Sequence, residues 1–280
     1  MPPPVLFFVG GAPRSGTTWL QQILDAHPAI SCMGEGLFER HLAGPIDRMV
    51  ADWATGLAAK NRNLFQHTGG YPIPGPDAAD ALLREAILQA LARQTGAATA
   101  RAIGEKTPEN VFFFERLHRL FPQGRFIAIA RDPRDVLSSA WHFFHKPGFG
   151  ENQEEAKAAF VRSALPSINH GARTMLTFAA GHPGQTLLIT YEALRSATPA
   201  CVERLFGFLG VASTPDLVAS TVARTDFASM TGGRKAGTAQ DGSFFRKGVS
   251  GDWRSTFSAA LGREIVGETG WMFRQFGWEE

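Results

Sequence analysis

A glycine-rich loop near the start of the chain has the spacing of a phosphate-binding loop but lacks the usual lysine. Gly11 and Gly16 are five residues apart, as in G-x-x-x-x-G-K-[ST], yet Thr17 stands where lysine is expected. That lysine normally reaches the β- and γ-phosphates of a nucleoside triphosphate. The backbone N–H groups of such a loop and the N-terminus of the following helix still attract an anion. The loop is therefore either an anion site with a different cation or an ordinary strand-to-helix turn.

Two further groups combine basic and hydroxyl-bearing residues. In "ARDPRDVLSS", Arg131 follows an apolar run and Ser139 comes eight residues later. In "FFRKG", Arg246 and Lys247 are adjacent within a glycine-rich region. Arginine binds phosphate through two parallel hydrogen bonds, and serine adds a hydroxyl donor. Taken singly, each group could equally be a solvated surface pair, because Asp132 lies next to Arg131.

Short apolar runs predict the strands that position these groups. Residues 5–9, 125–131 and 186–191 are predicted as buried strands, and residues 101–106 as a weaker one. Helical patterns are predicted in "TTWLQQILDAHP", "DAADALLREAILQALARQ", "PENVFFFERLHRLFP", "DPRDVLSSAWHFFH", residues 153–180 and "TPACVERLFGFLG". This alternation predicts a three-layer α/β/α fold with a central parallel sheet. Ligands of such sheets bind at the carboxyl ends of the strands, where the three groups are expected to meet.

Two regions do not follow the alternation of strands and helices. Residues 36–96 contain "GGYPIPGP" ahead of a predicted helix, and residues 231–253 are rich in glycine and basic residues. A long irregular segment in a compact domain is usually functional or mobile. We therefore expect these regions to contribute to a ligand site.

The composition is that of an ordinary soluble globular protein. Of 280 residues, 44% are hydrophobic and 19% are charged, and the net charge of +2 gives no general attraction for nucleic acid. Cys32 and Cys201 form neither a disulfide framework nor a metal-ligand pattern. "MPPPVLFFVG" lacks the features of a signal peptide or a membrane span. We therefore expect a cytoplasmic protein that uses no metal.

Taken together, "PRSGTTW", "ARDPRDVLSS" and "FFRKGVSGDW" resemble the motifs of sulfotransferases that use 3′-phosphoadenosine 5′-phosphosulfate (PAPS). The resemblance extends from Phe7 to Trp253. It implies a single sulfotransferase domain over residues 1–280 with a P-loop-like nucleotide-binding core. It also implies in-line sulfuryl transfer to a hydroxyl or amine, with 3′,5′-adenosine bisphosphate as product. A small-molecule or peptide acceptor would contact the variable segments 36–100, 142–152 and 231–253, and the oligomeric state stays open.

The resemblance also implies a role for individual residues. The 5′-phosphosulfate would be held by Arg14, Ser15, Gly16, Thr17, Thr18 and Trp19, with the Trp19 ring against the adenine. Arg131 and Ser139 would bind the 3′-phosphate. The cofactor would be covered by Phe244, Phe245, Arg246, Lys247 and Gly248. The adenine ring would be surrounded by Tyr191, Thr225, Phe227 and Met230, while Asp226 stands where the family commonly has serine.

The resemblance explains the missing lysine, because PAPS has neither a β- nor a γ-phosphate. Arg14 would supply the charge at the leaving oxygen, and Lys106 would lie beside the transferring group. The general base is predicted to be Glu35, since "LDAHPAISCMGEG" is similar to the "LDAHP…CGEE" segment of tyrosylprotein sulfotransferases. The histidine of the "KTH" motif in many cytosolic members is replaced by Pro108. The competing candidates for the base are Glu105 and Glu109 and, more weakly, His27, His142 and His145.

Two other functions are compatible with a nucleotide-binding loop. A P-loop kinase would need the lysine, together with an aspartate at a strand end for Mg²⁺, and here Asp132 is only adjacent to the strand. A non-catalytic nucleotide-binding module would not need Arg14, Lys106 and Glu35. A Mg²⁺ requirement would favour the kinase, and nucleotide binding without any transfer would favour the module.

Overall fold

Five parallel strands form the central sheet of the computed structural model, which describes residues 2–145, 152–238, 240 and 245–280. In chain order the strands are β1 (Val5–Gly11), β2 (Ile30–Met33), β3 (Ala102–Lys106), β4 (Arg125–Ala130) and β5 (Thr186–Thr190). Their order across the sheet is β2-β3-β1-β4-β5. The predicted central parallel sheet is therefore confirmed, and β2 is an edge strand that the sequence did not indicate.

Helices cover both faces of this sheet, as the three-layer prediction requires. They are α1 (Thr17–Asp25), α2 (Gly44–Leu64), α3 (Pro76–Ala92), α4 (Phe114–Leu120), α5 (Pro133–Phe144), α6 (Gln153–Gly181), α7 (Tyr191–Ser196), α8 (Thr198–Leu209), α9 (Pro215–Thr225), α10 (Phe227–Met230) and α11 (Ala259–Phe276). Short helical turns of other types span Phe38–Ala43, Pro108–Phe112 and Asp252–Ser255. No helix among the described residues is long and apolar enough to cross a bilayer.

Several element boundaries differ from those predicted from the sequence. The single helix predicted after β3 is a 3₁₀ turn over Pro108–Phe112 followed by α4. Tyr191, predicted as the end of a strand, is the first residue of α7. Helix α2 lies in a region that the sequence analysis treated as irregular, and Val50 is its one buried side chain. Its apolar residues Ile46, Met49, Val50, Trp53 and Leu57 do recur at helical spacing, although Met49 and Trp53 are largely exposed.

Alternate residues of the central strands build two separate cores. Phe7, Val9 and Ile127 pack on one face with residues of α1 and α8. Phe8 and Phe126 pack on the other face with residues of α3, α4 and α6. This period of two follows from the pleat of a strand, which directs successive side chains to opposite faces. Both faces are thus buried, which explains why β1 and β4 are continuous apolar runs.

The register of the sheet brings the predicted chemical groups to one edge. Val9 of β1 pairs with Lys106, the last residue of β3, and Gly11 pairs with Ile129, next to the end of β4. The loops that follow β1, β3 and β4 consequently leave the sheet side by side. This arrangement places the glycine-rich loop between Lys106 and Arg131.

Close packing between β1 and β3 requires a glycine at position 104. Phe7 and Gly104 are paired in register, and a Cβ at position 104 would lie 2.4 Å from the Cδ2 atom of the fully buried Phe7 ring. We predict that Gly104→Ala lowers the free energy of unfolding by about 1–3 kcal/mol, the usual cost of overpacking. Urea denaturation would measure this change.

Gly207→Ala is the matched control, because position 207 lies within α8 and a Cβ there meets open space. We expect this variant to keep or gain stability, by up to about 1 kcal/mol, through better helix propensity. Equal stability of Gly104→Ala and the wild type would contradict the packing described here.

Candidate functional site

A pocket of about 270 Å³ lies where the loops after β1 and β4 meet the segment 245–252. It brings together residues from all three groups that the sequence singled out. Of the predicted nucleotide-binding residues, the lining contains Arg14, Gly16, Thr17, Thr18, Trp19, Arg131, Ser139, Tyr191, Thr225, Phe227, Met230, Phe245, Arg246, Lys247 and Gly248. Ser15 is fully buried and does not line the pocket, and Phe244 lies outside the described residues.

The backbone of the glycine-rich loop forms a tight turn that ends at the start of α1. The Ser15 N–H donates to the Ala12 carbonyl at 3.0 Å, and Arg14 has a φ of 72°. Gly16 has a φ of 103°, and a Cβ there would lie 2.6 Å from the Tyr191 ring, so both conformation and space favour glycine. Gly16 is the N-cap of α1, and no side chain caps this end. The helix therefore presents its positive N-terminus to the pocket.

Arg14 contacts a serine hydroxyl and an aromatic ring at the pocket. Its Nε donates to Ser139 Oγ at 3.2 Å, and its guanidinium lies 4.4 Å from the centroid of the Phe143 ring. Burial first, and then the charges of Arg131 and Arg246, together lower the pKa of Arg14 to about 10. An anion bound among these three cations would relieve their repulsion.

Arg131 connects the glycine-rich loop with the segment that covers the pocket. Its guanidinium donates to the carbonyl of Arg14 at 3.2 Å and to that of Val249 at 3.0 Å. It also lies 4.2 Å from the centroid of the Tyr191 ring. Asp135, an acidic neighbour, is 3.9 Å away, at the limit of an ion pair. These contacts fix the guanidinium at the pocket wall.

Three residues that the sequence analysis missed hold the covering segment in place. Asp252 forms ion pairs with both Arg246 and Lys247, the second at 2.7 Å. Asp135 is buried and accepts hydrogen bonds from the N–H groups of residues 251 and 253, at 2.6 and 3.0 Å. Arg195 donates to the Gly248 carbonyl at 3.1 Å. Asp252 could have been found from the sequence, because it is an acidic residue five positions after Lys247. Asp135 and Arg195 could not, because they contact backbone groups, which leave no pattern in the sequence.

Aromatic side chains form the other wall of the pocket. The indole Nε1 of Trp19 donates to the Thr225 carbonyl at 2.8 Å, and its ring meets Tyr191 edge-on at 5.7 Å. Asp226 also lines the pocket, and its carboxylate accepts the Ser229 N–H at 2.6 Å. Asp226 therefore caps α10, which is a structural use for the residue that departs from the family pattern.

Lys106 and Glu35 form an ion pair beside the glycine-rich loop. The Nζ atom of Lys106 lies 2.5 Å from Glu35 Oε1 and donates to Thr18 Oγ1 at 3.2 Å. The Lys106 side chain is only 4% exposed, whereas that of Glu35 is 41% exposed. Thr18 also lines the pocket, so this threonine joins the pair to the anion-binding loop. The exposed Glu35 carboxylate can be reached by a second substrate.

The alternative bases are placed less well. Glu105 is 1% exposed and already accepts hydrogen bonds, and Glu109 is half-buried. His27 is buried, donates from Nε2 to the Ala212 carbonyl at 3.0 Å and accepts the N–H of residue 29 at Nδ1. Burial lowers the pKa of His27. His142 contacts the Thr256 hydroxyl at 3.2 Å, and His145 stacks on the ring of residue 141.

Residues 4–216 match the model of the sulfotransferase family. The chain belongs to the sulfotransferase family. Protein-tyrosine sulfotransferase 1 from Danio rerio is 28% identical over 207 residues, which are 74% of this chain and 53% of that protein. The 3-beta-hydroxysteroid sulfotransferase from Cavia porcellus is 28% identical over 185 residues, or 58% of this chain and 64% of that protein.

The family fold extends to solved structures of low sequence identity. Mouse sulfotransferase SULT7A1 complexed with PAP superposes with a TM-score of 0.59 at 17% identity, covering 97% of this chain and 84% of that one. The matches to curated relatives span between 33% and 65% of those proteins' own lengths. Family membership and fold are thus established.

Proposed function

We propose that the protein transfers a sulfuryl group from PAPS to a hydroxyl or amine acceptor. One observation carries the proposal. The pocket joins an anion-binding loop to Arg131 and Arg246, and Thr18 connects this pocket to the Lys106–Glu35 pair. A nucleotide site and an acid–base pair therefore share one residue. Membership of the sulfotransferase family supports the same reaction. So does the mouse structure, which is described as complexed with PAP, the 3′,5′-adenosine bisphosphate product.

The residues present fit a nucleotide with two anionic groups. Within the described part of the chain, Ser15 Oγ and Arg131 Nε are buried polar atoms without a hydrogen-bond partner. The basic residues of the lining outnumber the acidic ones by five to three. They are Arg14, Arg131, Arg195, Arg246 and Lys247, against Asp135, Asp226 and Asp252. A lining with more basic than acidic residues, beside an open helix N-terminus, favours phosphate and sulfate groups.

The two ends of the pocket would bind different parts of the nucleotide. The loop from Arg14 to Trp19 would hold the 5′-phosphosulfate with backbone N–H groups and the Arg14 guanidinium. Arg131 and Ser139 would hold the 3′-phosphate, with Arg246 and Lys247 above it. The aromatic rings of Trp19 and Phe227 would enclose the adenine, because such rings stack on any base.

The proposed chemistry assigns a separate task to each charged group. Bound PAPS supplies the sulfuryl group and a 5′-phosphate that leaves. Arg14 would compensate the negative charge that develops on the leaving oxygen, and Lys106 that on the transferring group. Glu35 would accept the proton of the acceptor hydroxyl. Pairing with Lys106 keeps Glu35 directed toward the loop, while its exposure leaves the carboxylate accessible.

We further propose a hydroxyl acceptor with apolar surface, either a phenol of a peptide or a small alcohol. Of the two relatives above, one is named for a protein tyrosine, which is a phenol, and the other for a hydroxysteroid, which is an alcohol. The Phe143 ring, which lies against Arg14, and the neighbouring Phe144 ring are 44% and 60% exposed. They offer apolar surface next to the proposed reaction centre. The cytoplasmic location and the lack of a metal requirement remain predictions from the sequence.

An ATP-dependent kinase is the weaker alternative. Its Mg²⁺ would need a free carboxylate at the end of β4. The Asp132 carboxylate instead forms an ion pair with Arg134 at 2.9 Å and caps α5 by accepting the N–H of the same residue. Asp132 is therefore already committed to the structure of the helix start.

The nucleotide assignment predicts a selective loss of affinity. Arg131→Ala and Arg246→Ala should each weaken binding of 3′,5′-adenosine bisphosphate by about 1.5–3 kcal/mol, the value of a hydrogen bond to a charged group. Binding of 5′-AMP should hardly change, because it lacks the 3′-phosphate. Calorimetry with both nucleotides would measure the difference. Arg162→Ala is the control, since Arg162 pairs with Glu264 on the surface. Equal losses for the two nucleotides would refute the assignment.

The base assignment predicts a loss that depends on the acceptor. Glu35→Gln keeps the shape of the side chain but removes its basicity, so turnover should fall by about 10²–10⁴-fold. Affinity for the bisphosphate nucleotide should be unchanged, because Glu35 does not line the pocket. The loss should be smaller for an acidic acceptor such as a nitrophenol, which needs less help in losing its proton. Steady-state kinetics with the two acceptors would test this.

Lys106→Ala is the matched comparison, because its charge acts on the transferring group rather than on the acceptor proton. Unlike Glu35→Gln, it should slow acidic acceptors strongly as well as ordinary ones. Near-normal turnover of Glu35→Gln, together with a collapse in Glu109→Gln, would show that the base is wrongly assigned.

A further inference from the structure

A buried carboxylate fixes the turn that carries Glu35. Glu105 is 1% exposed, and its Oε1 accepts the Gly36 N–H at 2.7 Å. Its Oε2 accepts the side-chain amide of Asn110 at 2.7 Å, and the Thr107 hydroxyl donates to Oε1. All three partners are donors, so an ionised carboxylate at position 105 satisfies every one of them.

The same network reaches a second amide of the turn. The Leu37 N–H donates to Thr107 Oγ1 at 3.3 Å, and Thr107 in turn donates to Glu105. Leu37 has a φ of 51°, a left-handed conformation that is unfavourable for a leucine. Hydrogen bonds to one cluster thus hold both residues after Glu35, and the second of them has an uncommon backbone conformation.

The cluster is anchored to the centre of the sheet. Asn110 Nδ2 also donates to the Val9 carbonyl at 3.0 Å, and Val9 is paired in register with Lys106. Glu105 and Lys106 are consecutive residues of β3. One strand end therefore holds both members of the ion pair, Lys106 directly and Glu35 through the hydrogen bonds of Glu105.

We propose that Glu105 is a positioning residue that orients Glu35 against Lys106 and toward the acceptor. The proposal rests on the function proposed above, in which Glu35 is the base. Glu105 itself cannot play that part, because it is buried and its oxygens are occupied by donors. Burial raises the pKa of Glu105, while its hydrogen bonds and the charge of Lys106 oppose that rise.

Glu105→Gln tests the proposal with little change in shape. A glutamine must direct its NH₂ group at one of the three donors, so at least one of the hydrogen bonds is lost. Turnover should fall by about 10- to 10²-fold, the effect of a small displacement of a reacting group. Affinity for 3′,5′-adenosine bisphosphate should stay within twofold of the wild type. A proportionate loss of nucleotide affinity would indicate a merely structural role and overturn the proposal.

The double variant separates positioning from an independent effect. If Glu105 acts through Glu35, Glu35→Gln/Glu105→Gln should lose no more turnover than Glu35→Gln alone. Additive losses would overturn the proposal. Should Glu105→Gln fail to fold, Thr107→Val removes the hydroxyl at nearly constant shape. It should show a smaller loss that is likewise absent in the Glu35→Gln background.

Hydrogen exchange does not depend on sulfuryl transfer, so it can test the positioning role of Glu105 separately from the proposed function. Hydrogen exchange measured by NMR should be faster at the Gly36 and Leu37 amides in Glu105→Gln than in the wild type. Glu115→Gln, an exposed carboxylate of α4, is the control and should leave both rates unchanged. Unchanged exchange in Glu105→Gln would overturn the positioning role. A wild-type protein that transfers no sulfuryl group would instead refute the proposed function, and the exchange rates would still decide whether Glu105 fixes the turn.

Discussion

The repulsion among three guanidinium groups is the constraint on which the site depends. Arg14, Arg131 and Arg246 are close enough that the second and third lower the pKa of the first. Arg14 contacts the Ser139 hydroxyl and the Phe143 ring, and Arg246 forms an ion pair with Asp252. A lining with five basic and three acidic residues favours an anion, and in the proposed function it takes the place of the missing lysine.

In the proposed function, the strand order separates the residues that bind the nucleotide from those that move the acceptor proton. Arg131 follows β4, whereas Lys106 ends β3, and β1 with its glycine-rich loop lies between them. Thr18 touches both sides, because it lines the pocket and accepts a hydrogen bond from Lys106. A variant on the β4 side should therefore alter nucleotide affinity, and one on the β3 side should alter turnover. This division follows from strand order rather than from any single side chain.

The sequence predicted the parts of the site that depend on local spacing. The glycine-rich loop, Arg131 after its strand and the covering basic pair could all be identified because each is a short motif. Strand β2 was missed, since it has only four residues and is separated from α1 by only four more. The roles of Asp135 and Glu105 could not be predicted, because both act by accepting N–H groups from residues that are distant along the chain. Only the folded backbone brings those donors near.

The most direct test of the account is a transfer assay with PAPS labelled in its sulfuryl group and a panel of phenols, alcohols, amines and tyrosine peptides. Label is expected on at least one acceptor, with 3′,5′-adenosine bisphosphate as the second product and with turnover maintained in excess EDTA. Tight binding of the bisphosphate without label on any acceptor would contradict it. So would transfer of phosphate from ATP that depends on Mg²⁺.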